Sequence, residues 1–362
     1  MIKQVLGWKT RRKIIVIESD DWGSFRFKSN AIRDKYIPDY NSDYWMDYND
    51  CFESHEDLKQ LSKVLESTKD KNNNSACITF LMNPSNPDFK KVEVANFKTF
   101  FGKSFKHNLQ EREDGEQILA WYQNAIDKHL LEVGFHGREH LNECSWIKDL
   151  KNPNSIARNG FYDRIWGQSI ISGQKDKISH RSTFDMSSLQ ELDLLKQNIN
   201  EGISILNKTF NQKTTYFLPP DGPYHLSLNK SLVESGIKYI GLAKIHNNPL
   251  ESKAHQKRLF WLGKSTKEGL KVITRNVIFE PASPKQADWI GSAMNQIEKA
   301  FKFFNPAIIS THRANYTGTL NPKNREDSLN KLKTLLSGVH NKWPGVEFMT
   351  SSQLGNIMSK SD

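Results

Sequence analysis

The stretch "KIIVIESDDWGS", residues 13–24, places an apolar run directly before two adjacent acidic residues. Its first seven residues, 13–19, predict a β-strand with both faces buried, because near-continuous apolar runs are typical of strands in parallel sheets. Similar runs rich in β-branched and aromatic residues follow at 76–83, 132–136, 214–220, 237–243, 270–280, 306–312 and 345–351.

Segments with helical periodicity separate several of these runs. They lie at 54–67, where Leu58, Leu61, Val64 and Leu65 share one stripe, and at 113–131, 187–209, 285–304 and 324–338. Alternating strands and helices predict an α/β fold with a parallel sheet, and the number of units favours a barrel over an open sheet. We therefore predict a distorted (β/α) barrel of about seven strands, similar to a TIM barrel.

The chain is expected to form a single barrel domain over residues 1–362, with long insertions at about 84–112 and 145–185. Both insertions are rich in Asn, Lys, Ser and aromatic residues and show little periodicity. We predict long loops or small excursions beside the barrel, and loops of such length often act as lids or binding loops.

Composition narrows the class of protein. The 362 residues contain 37% hydrophobic residues, enough for a substantial core, but no apolar run approaches the roughly 18 residues that cross a bilayer. The first residues also lack the apolar core of about 7–15 residues found in secretion signals. We therefore expect no membrane span and a cytoplasmic location.

Neither the cysteines nor the net charge points to a further kind of site. Cys51, Cys77 and Cys144 form no C-x-x-C pair, which suits a reducing compartment. The formal net charge of +10 is spread along the chain, so it does not predict a nucleic-acid partner. Oligomeric state is not predicted.

Ionisable residues stand where several predicted strands end. Asp20 and Asp21 follow the first strand, His136 ends the third with His140 four residues later, and His312 ends a late strand. Because the carboxyl ends of parallel strands meet on one face, we expect these side chains to lie close together.

Such a cluster has the residue types of a metal-dependent hydrolase. Two neutral imidazoles and one carboxylate suit a divalent ion and leave positions open for water and substrate. We favour zinc, with cobalt, manganese and nickel as alternatives. The ion can lower the pKa of a bound water to about 7 and polarise a carbonyl. A second carboxylate could accept the water's proton, and a histidine could protonate the leaving group.

In order and strand placement, these residues resemble the motifs of the polysaccharide deacetylase superfamily, the carbohydrate esterases with a NodB homology domain. The matching stretches are "IESDDWGS" (17–24) for the Asp-Asp motif, "HGREH" (136–140) for H-x-x-x-H, "FLPPDGPY" (217–224) for Arg-Pro-Pro and "ISTHR" (309–313) for the late histidine motif. The chain is thereby identified as a divergent member.

The resemblance implies a role for each matching residue. Asp20 would be the base and His312 the acid, while Asp21, His136 and His140 would hold the metal. Pro219, Pro220, Tyr224 and Trp22 would bind substrate, and the aromatic rings, together with Trp166, could stack on sugars.

The sequence departs from the family at the arginine that precedes the two prolines and holds the base. Leu218 occupies that position here. Arg138, Arg275 and Arg313 are the candidate replacements, and Glu280 is the candidate acid beside His312.

The implied reaction is removal of an N-acetyl group, or less readily an O-acetyl group, from a sugar or polysaccharide precursor. One alternative is a non-catalytic glycan-binding protein on the same fold. Another is a zinc peptidase of the H-x-x-E-H type with Glu139 as base. The peptidase would need both histidines on one helix, which Gly137 and the strand-like residues before it disfavour.

Overall fold

The computed structural model describes residues 6–37, 45–166 and 180–360. Its strands in chain order are β1 (Lys13–Trp22), β2 (Ile78–Met82), β3 (Ser85–Pro87), β4 (Gly102–Ser104), β5 (Leu131–Phe135), β6 (Tyr216–Phe217), β7 (Tyr239–Gly241), β8 (Ile245–Pro249), β9 (His255–Leu259), β10 (Lys271–Ile273), β11 (Val277–Ile278), β12 (Ala307–His312) and β13 (Val346–Met349). The main sheet is parallel, with the order β10-β7-β6-β5-β2-β1-β12-β11 and with β13 paired to β1 beside this path. Two antiparallel pairs, β3 with β4 and β8 with β9, stand apart from it.

Strand β1 is covered on both faces, as its apolar run predicts. Ile15 and Ile17 pack in the large cluster that includes the surrounding helices. Ile14 and Val16 point the other way, into a smaller cluster built from residues of β2, β6, β7, β10 and β12. One cluster can collect side chains from so many strands only if the sheet is strongly curled around it.

The connection between the two edge strands shows how far the curl goes. β10 and β11 lie at opposite edges of the sheet but are separated by residues 274–276 alone. An extended chain from Ile273 to Val277 spans at most about 14 Å, so the edges must lie near each other. The predicted distorted (β/α) barrel is confirmed. The strand count is higher than predicted because the run 270–280 forms two strands.

The helices in chain order are α1 (Asn30–Tyr36), α2 (Trp45–Asn49), α3 (His55–Glu66), α4 (Phe89–Val94), α5 (Phe105–Gln110), α6 (Gly115–Asp127), α7 (Glu143–Leu150), α8 (Ile156–Tyr162), α9 (Leu192–Phe210), α10 (Asn229–Glu234), α11 (Trp289–Lys302), α12 (Pro322–Lys342) and α13 (Ser351–Ser359). The predicted amphipathic segments correspond to α3, α6, α9, α11 and α12. In the described ranges, no helix combines the length and the apolar character needed to cross a membrane.

The two predicted insertions contain short elements that pack on each other. Residues 84–112 include β3, β4, α4 and α5, and residues 145–185 include α8 and most of α7. Residues 167–179 of the second insertion lie outside the described residues. Val92 and Trp146, one from each insertion, share an apolar cluster. The insertions are therefore small excursions with a common core rather than plain loops.

Candidate functional site

The ionisable residues that end the strands meet at one rim of the sheet. Asp20 is paired in register with His312 on the neighbouring strand β12, and His136 directly follows β5. Together with Asp21 and His140 they line one cleft of about 800 Å³. The fold therefore brings residues that are far apart in the sequence into one cavity.

Two consecutive acids reach this cleft because β1 is irregular at its end. Neighbouring side chains of a regular strand point to opposite faces. Asp21 has a φ of 77°, in the left-handed region that residues other than glycine seldom adopt. The pairing of β1 with β2 also shifts register between Ser19 and Trp22. This bend turns Asp21 toward the cleft beside Asp20.

Asp21, His136 and His140 form a compact group that could hold a metal ion. One ligand atom of each lies within 4.8 Å of the others. Oδ1 of Asp21 is 3.1 Å from Nε2 of His140 and 3.6 Å from Nε2 of His136. All three side chains are buried, so an ion between them would be shielded from bulk water.

The hydrogen bonds around this group fit a divalent ion. The Nδ1–H group of His136 donates to the carbonyl oxygen of Leu218 at 2.7 Å, which leaves the lone pair of Nε2 for a metal. Nδ1 of His140 has no hydrogen-bond partner among the described residues. Arg26 donates to Oδ2 of Asp21 at 3.2 Å, so Oδ1 is the oxygen directed at the histidines.

The charge of Asp21 also suits a metal ligand. Burial by itself raises the pKa of this carboxyl, but His140 and Arg26 hold the pKa well below its ordinary value. The carboxylate is therefore ionised at neutral pH. One carboxylate and two imidazoles are a ligand set that zinc and related ions accept.

The loop that carries the two histidines excludes the peptidase arrangement. Residues 136–142 lie between β5 and α7 and are not helical. Gly137 has a φ of 82°, a conformation that interrupts any helix there. Glu139 is buried and paired with Arg138 at 2.9 Å, so its carboxylate is engaged outside the cleft. The H-x-x-E-H alternative is wrong.

Arg275 binds the carboxylate of Asp20 through both terminal nitrogens. Nη1 donates to Oδ2 at 2.7 Å and Nη2 donates to Oδ1 at 2.5 Å. Burial by itself raises the pKa of Asp20, but Arg275 brings the pKa below its ordinary value. Within the part of the chain that the structure describes, Arg275 is the arginine that occupies the position expected of a cation beside Asp20.

The other two arginines proposed for this position lie elsewhere, and both hypotheses are wrong. Arg313 is fully buried and binds Asp50 at 2.9 Å and Glu53 at 3.0 Å. Arg138 is held by three carboxylates, those of Glu139, Glu143 and Glu201.

His312 is hydrogen-bonded to Glu280, the acid proposed from the sequence. Its Nδ1 lies 2.7 Å from Oε1 of Glu280, whose other oxygen accepts from Asn315 at 2.7 Å. Nε2 of His312 lies 3.7 Å from Oδ2 of Asp20. Burial by itself lowers the pKa of His312, but Glu280 and then Asp20 raise it to about 10. The imidazole is therefore protonated on both ring nitrogens, and positively charged, at neutral pH.

The aromatic rings expected to stack on sugar are not available. Trp22 is fully buried, with its ring stacked on Phe80 at a centroid distance of 3.6 Å. Tyr224 is fully buried as well, and Trp166 is only 4% exposed. The hypothesis of stacking on these rings is therefore wrong. Both prolines are buried, and of the two only Pro219 lines the cleft.

Sequence reasoning missed several polar residues at the site, among them Arg26, Arg181 and Asp221. Arg181 and Asp221 line the cleft, and Asp221 accepts a hydrogen bond from Ser182 at 3.1 Å. Asp221 has a φ of 54° and precedes a glycine, so the Asp-Gly pair after the prolines was a turn signal that pointed to it. Arg26 lies between two phenylalanines, and no motif around it gave such a signal.

Comparison with known proteins gives a match in structure but not in sequence. No protein-family model matches this sequence, and no curated protein matches it. A structure from Parabacteroides distasonis, named as a glycoside hydrolase/deacetylase, is 10% identical, with 97% of this chain and 72% of that chain covered and a TM-score of 0.50.

Two further structures have lower TM-scores. One, named as a polysaccharide deacetylase from Pseudomonas aeruginosa PAO1, is 12% identical, with 96% of this chain and 91% of that chain covered and a TM-score of 0.47. A CE4 family pseudoenzyme from Bacillus anthracis is 12% identical, with 95% of this chain and 65% of that chain covered and a TM-score of 0.39. The match to the structure from Parabacteroides distasonis supports the predicted distorted (β/α) barrel and concerns the fold alone.

Proposed function

We propose that this protein is a metal-dependent hydrolase that removes an N-acetyl group, or an O-acetyl group, from a sugar or polysaccharide precursor. One observation carries the proposal: a candidate base, Asp20, and a protonated histidine, His312, share the cleft with the Asp21, His136 and His140 group. Acyl transfer to water needs a base, an acid and a bound metal ion within reach of one carbonyl.

The chemistry can be assigned to individual atoms. Asp21, His136 and His140 would hold a divalent ion, which supplies Lewis acidity at the substrate carbonyl when it is bound. Asp20 would accept the proton of the attacking water, because each carboxylate oxygen keeps a second acceptor site beside its bond to Arg275. His312 would donate the proton on Nε2 to the departing nitrogen or oxygen.

Metal analysis tests the ligand group directly. We expect the wild-type protein to carry a stoichiometric divalent ion, for which we propose zinc over cobalt, manganese and nickel, and we expect His136→Ala to lose it because one of three protein ligands is gone. His107→Ala, at an exposed histidine outside the cleft, should retain the ion. A wild-type protein that binds none of these metals would contradict the proposal.

Acetate release from N-acetylated and O-acetylated oligosaccharides tests the reaction and distinguishes hydrolysis of an amide from hydrolysis of an ester. We expect release that stops when a chelator removes the metal and returns when the metal is added back. Binding of the same oligosaccharides without any release would instead support the glycan-binding alternative.

The pH profile tests the proposed acid. We expect Glu280→Gln to move the alkaline limb of kcat/KM to lower pH. An acid acts only while protonated, so the rate falls as the pH rises through the pKa of His312, which Glu280 raises to about 10. Without that carboxylate, the pKa moves back toward the ordinary histidine value of about 6.5.

The control for this profile is Glu298→Gln, which removes an exposed glutamate paired with Lys342 on the outside of the barrel. It should leave the alkaline limb in place. If Glu280→Gln left the limb unmoved as well, another group would be the acid.

A further inference from the structure

Glu18 is a buried carboxylate without a role in the reaction described so far. It lies two residues before Asp20 on β1, so the two side chains point to the same face of the strand. The side chain of Glu18 is fully buried, and it does not line the cleft. A buried carboxylate is costly unless it is paired, so its partners indicate what it does.

Both oxygens of Glu18 accept hydrogen bonds. Nε of Arg275 donates to Oε2 at 2.6 Å, and the hydroxyl of Ser351, the first residue of α13, donates to Oε1 at 2.7 Å. Arg275 uses its terminal nitrogens for Asp20. One guanidinium therefore joins two carboxylates of the same strand, and α13 holds the one that lies farther from the cleft.

We propose that Glu18 is a positioning residue, which fixes the guanidinium of Arg275 in the orientation that binds Asp20. Arg275 projects from the short connection between β10 and β11 on a long, flexible side chain. Its guanidinium is planar, so once Nε is bound along one edge, the terminal donors point in a fixed fork along the other. Glu18 thus selects the orientation that presents two donors to Asp20 at once.

The kinetic consequence of this inference rests on the proposed function, whereas the contact itself does not. Two variants separate the effect of the length of the side chain from the effect of its charge. Glu18→Gln keeps the length and one acceptor oxygen but removes the charge. Glu18→Asp keeps the charge but withdraws the carboxylate by one methylene group. Positioning predicts that the first variant is tolerated and the second is not.

The contact can be observed without any substrate. In protein labelled with ¹⁵N-arginine, we expect the Nε proton of Arg275 to exchange slowly with water, because it is donated to a buried acceptor oxygen. Arg275→Lys assigns that resonance. Slow exchange should persist in Glu18→Gln and disappear in Glu18→Asp.

The same variants are then compared in turnover. We expect Glu18→Asp to lower kcat by about a hundredfold, the loss that a misplacement of about 1 Å can cause, with KM close to that of the wild type. Glu18→Gln should change kcat little. Glu347→Gln is the matched control. Glu347 lies on the neighbouring strand β13, outside the cleft, and it is another buried glutamate bound to an arginine, Arg12.

Each result decides the question. Slow exchange and normal kcat in Glu18→Asp would overturn the positioning role, because the length of the side chain would then not matter. Loss of both in Glu18→Gln would overturn it as well, because the charge of the side chain would then matter. If no acetylated substrate were hydrolysed by the wild type, the proposed function would fail, but the exchange measurement would still decide whether Glu18 fixes Arg275.

Discussion

Asp20→Asn is expected to lower kcat by about a hundredfold to ten-thousandfold while the metal stays bound, which is the range that a positioned proton acceptor contributes. Asparagine has the size of aspartate, so the cleft keeps its shape, but its amide cannot accept the water's proton. The amide oxygen still accepts from one terminal nitrogen of Arg275, whereas the amide nitrogen now faces the other terminal nitrogen, which is also a donor. Some stability is lost for that reason, so the comparison is made on folded protein.

The neighbouring acid provides the matched control for this experiment. Asp21→Asn changes the same atoms one residue later, at the group whose Oδ1 faces His136 and His140. We expect it to lose both the metal and acetate release. Metal content measured beside kcat therefore separates the two acids. Loss of metal from Asp20→Asn, or full activity in it, would contradict the assignment of Asp20 as base.

The residues of the site that the sequence predicted share one property: the signal is local. An apolar strand followed by an acid or a histidine marks a strand end, and parallel strand ends meet at one rim. This rule predicts that Asp20, His136 and His312 lie close together, and all three line the same cleft. Glu280 was also proposed, and the structure shows its hydrogen bond to His312.

The sequence narrows the partner of Asp20 to three arginines but does not identify it, because the choice depends on closure of the sheet. Arg275 reaches Asp20 because β10 and β11 are joined across the two edges of the curled sheet. Nothing in the residues around Arg138, Arg275 or Arg313 reveals which of them crosses the barrel. The burial of the aromatic rings could not be predicted either. Trp22 follows the two acids in the sequence, but its ring packs on Phe80 in the core.

Helix α13 was missed although the sequence contains its start signal. The predicted strand 345–351 runs into Thr350, which forms a capping box with Gln353. The helix that follows is short, and Leu354 and Met358 supply its buried apolar contacts within the curl of the sheet. Since Ser351 at its first turn binds Glu18, this helix also supports the site.

Arg313→Met is expected to reduce the free energy of unfolding by about 3–5 kcal/mol, the cost of breaking a buried ion pair by removing one partner. The side chains of Arg313, Asp50 and Glu53 are all fully buried, so the substitution leaves two carboxylates without their shared cation. Methionine fills most of the volume, and the loss is therefore mainly electrostatic. Arg26 still contacts Asp50, and Tyr122 still donates to Glu53, which places the expected loss toward the lower value.

Denaturant unfolding of Arg313→Met beside Arg12→Met measures the effect of burial. Arg12 is 41% exposed, and its partner Glu347 keeps Lys71 at 3.1 Å, so this control should lose only about 0–1 kcal/mol. Adding Glu53→Gln to Arg313→Met should restore part of the stability, because it removes one of the stranded charges. Equal losses in the two arginine variants would mean that the buried carboxylates find other compensation. In that case, the burial of Asp50 and Glu53 would not depend on Arg313.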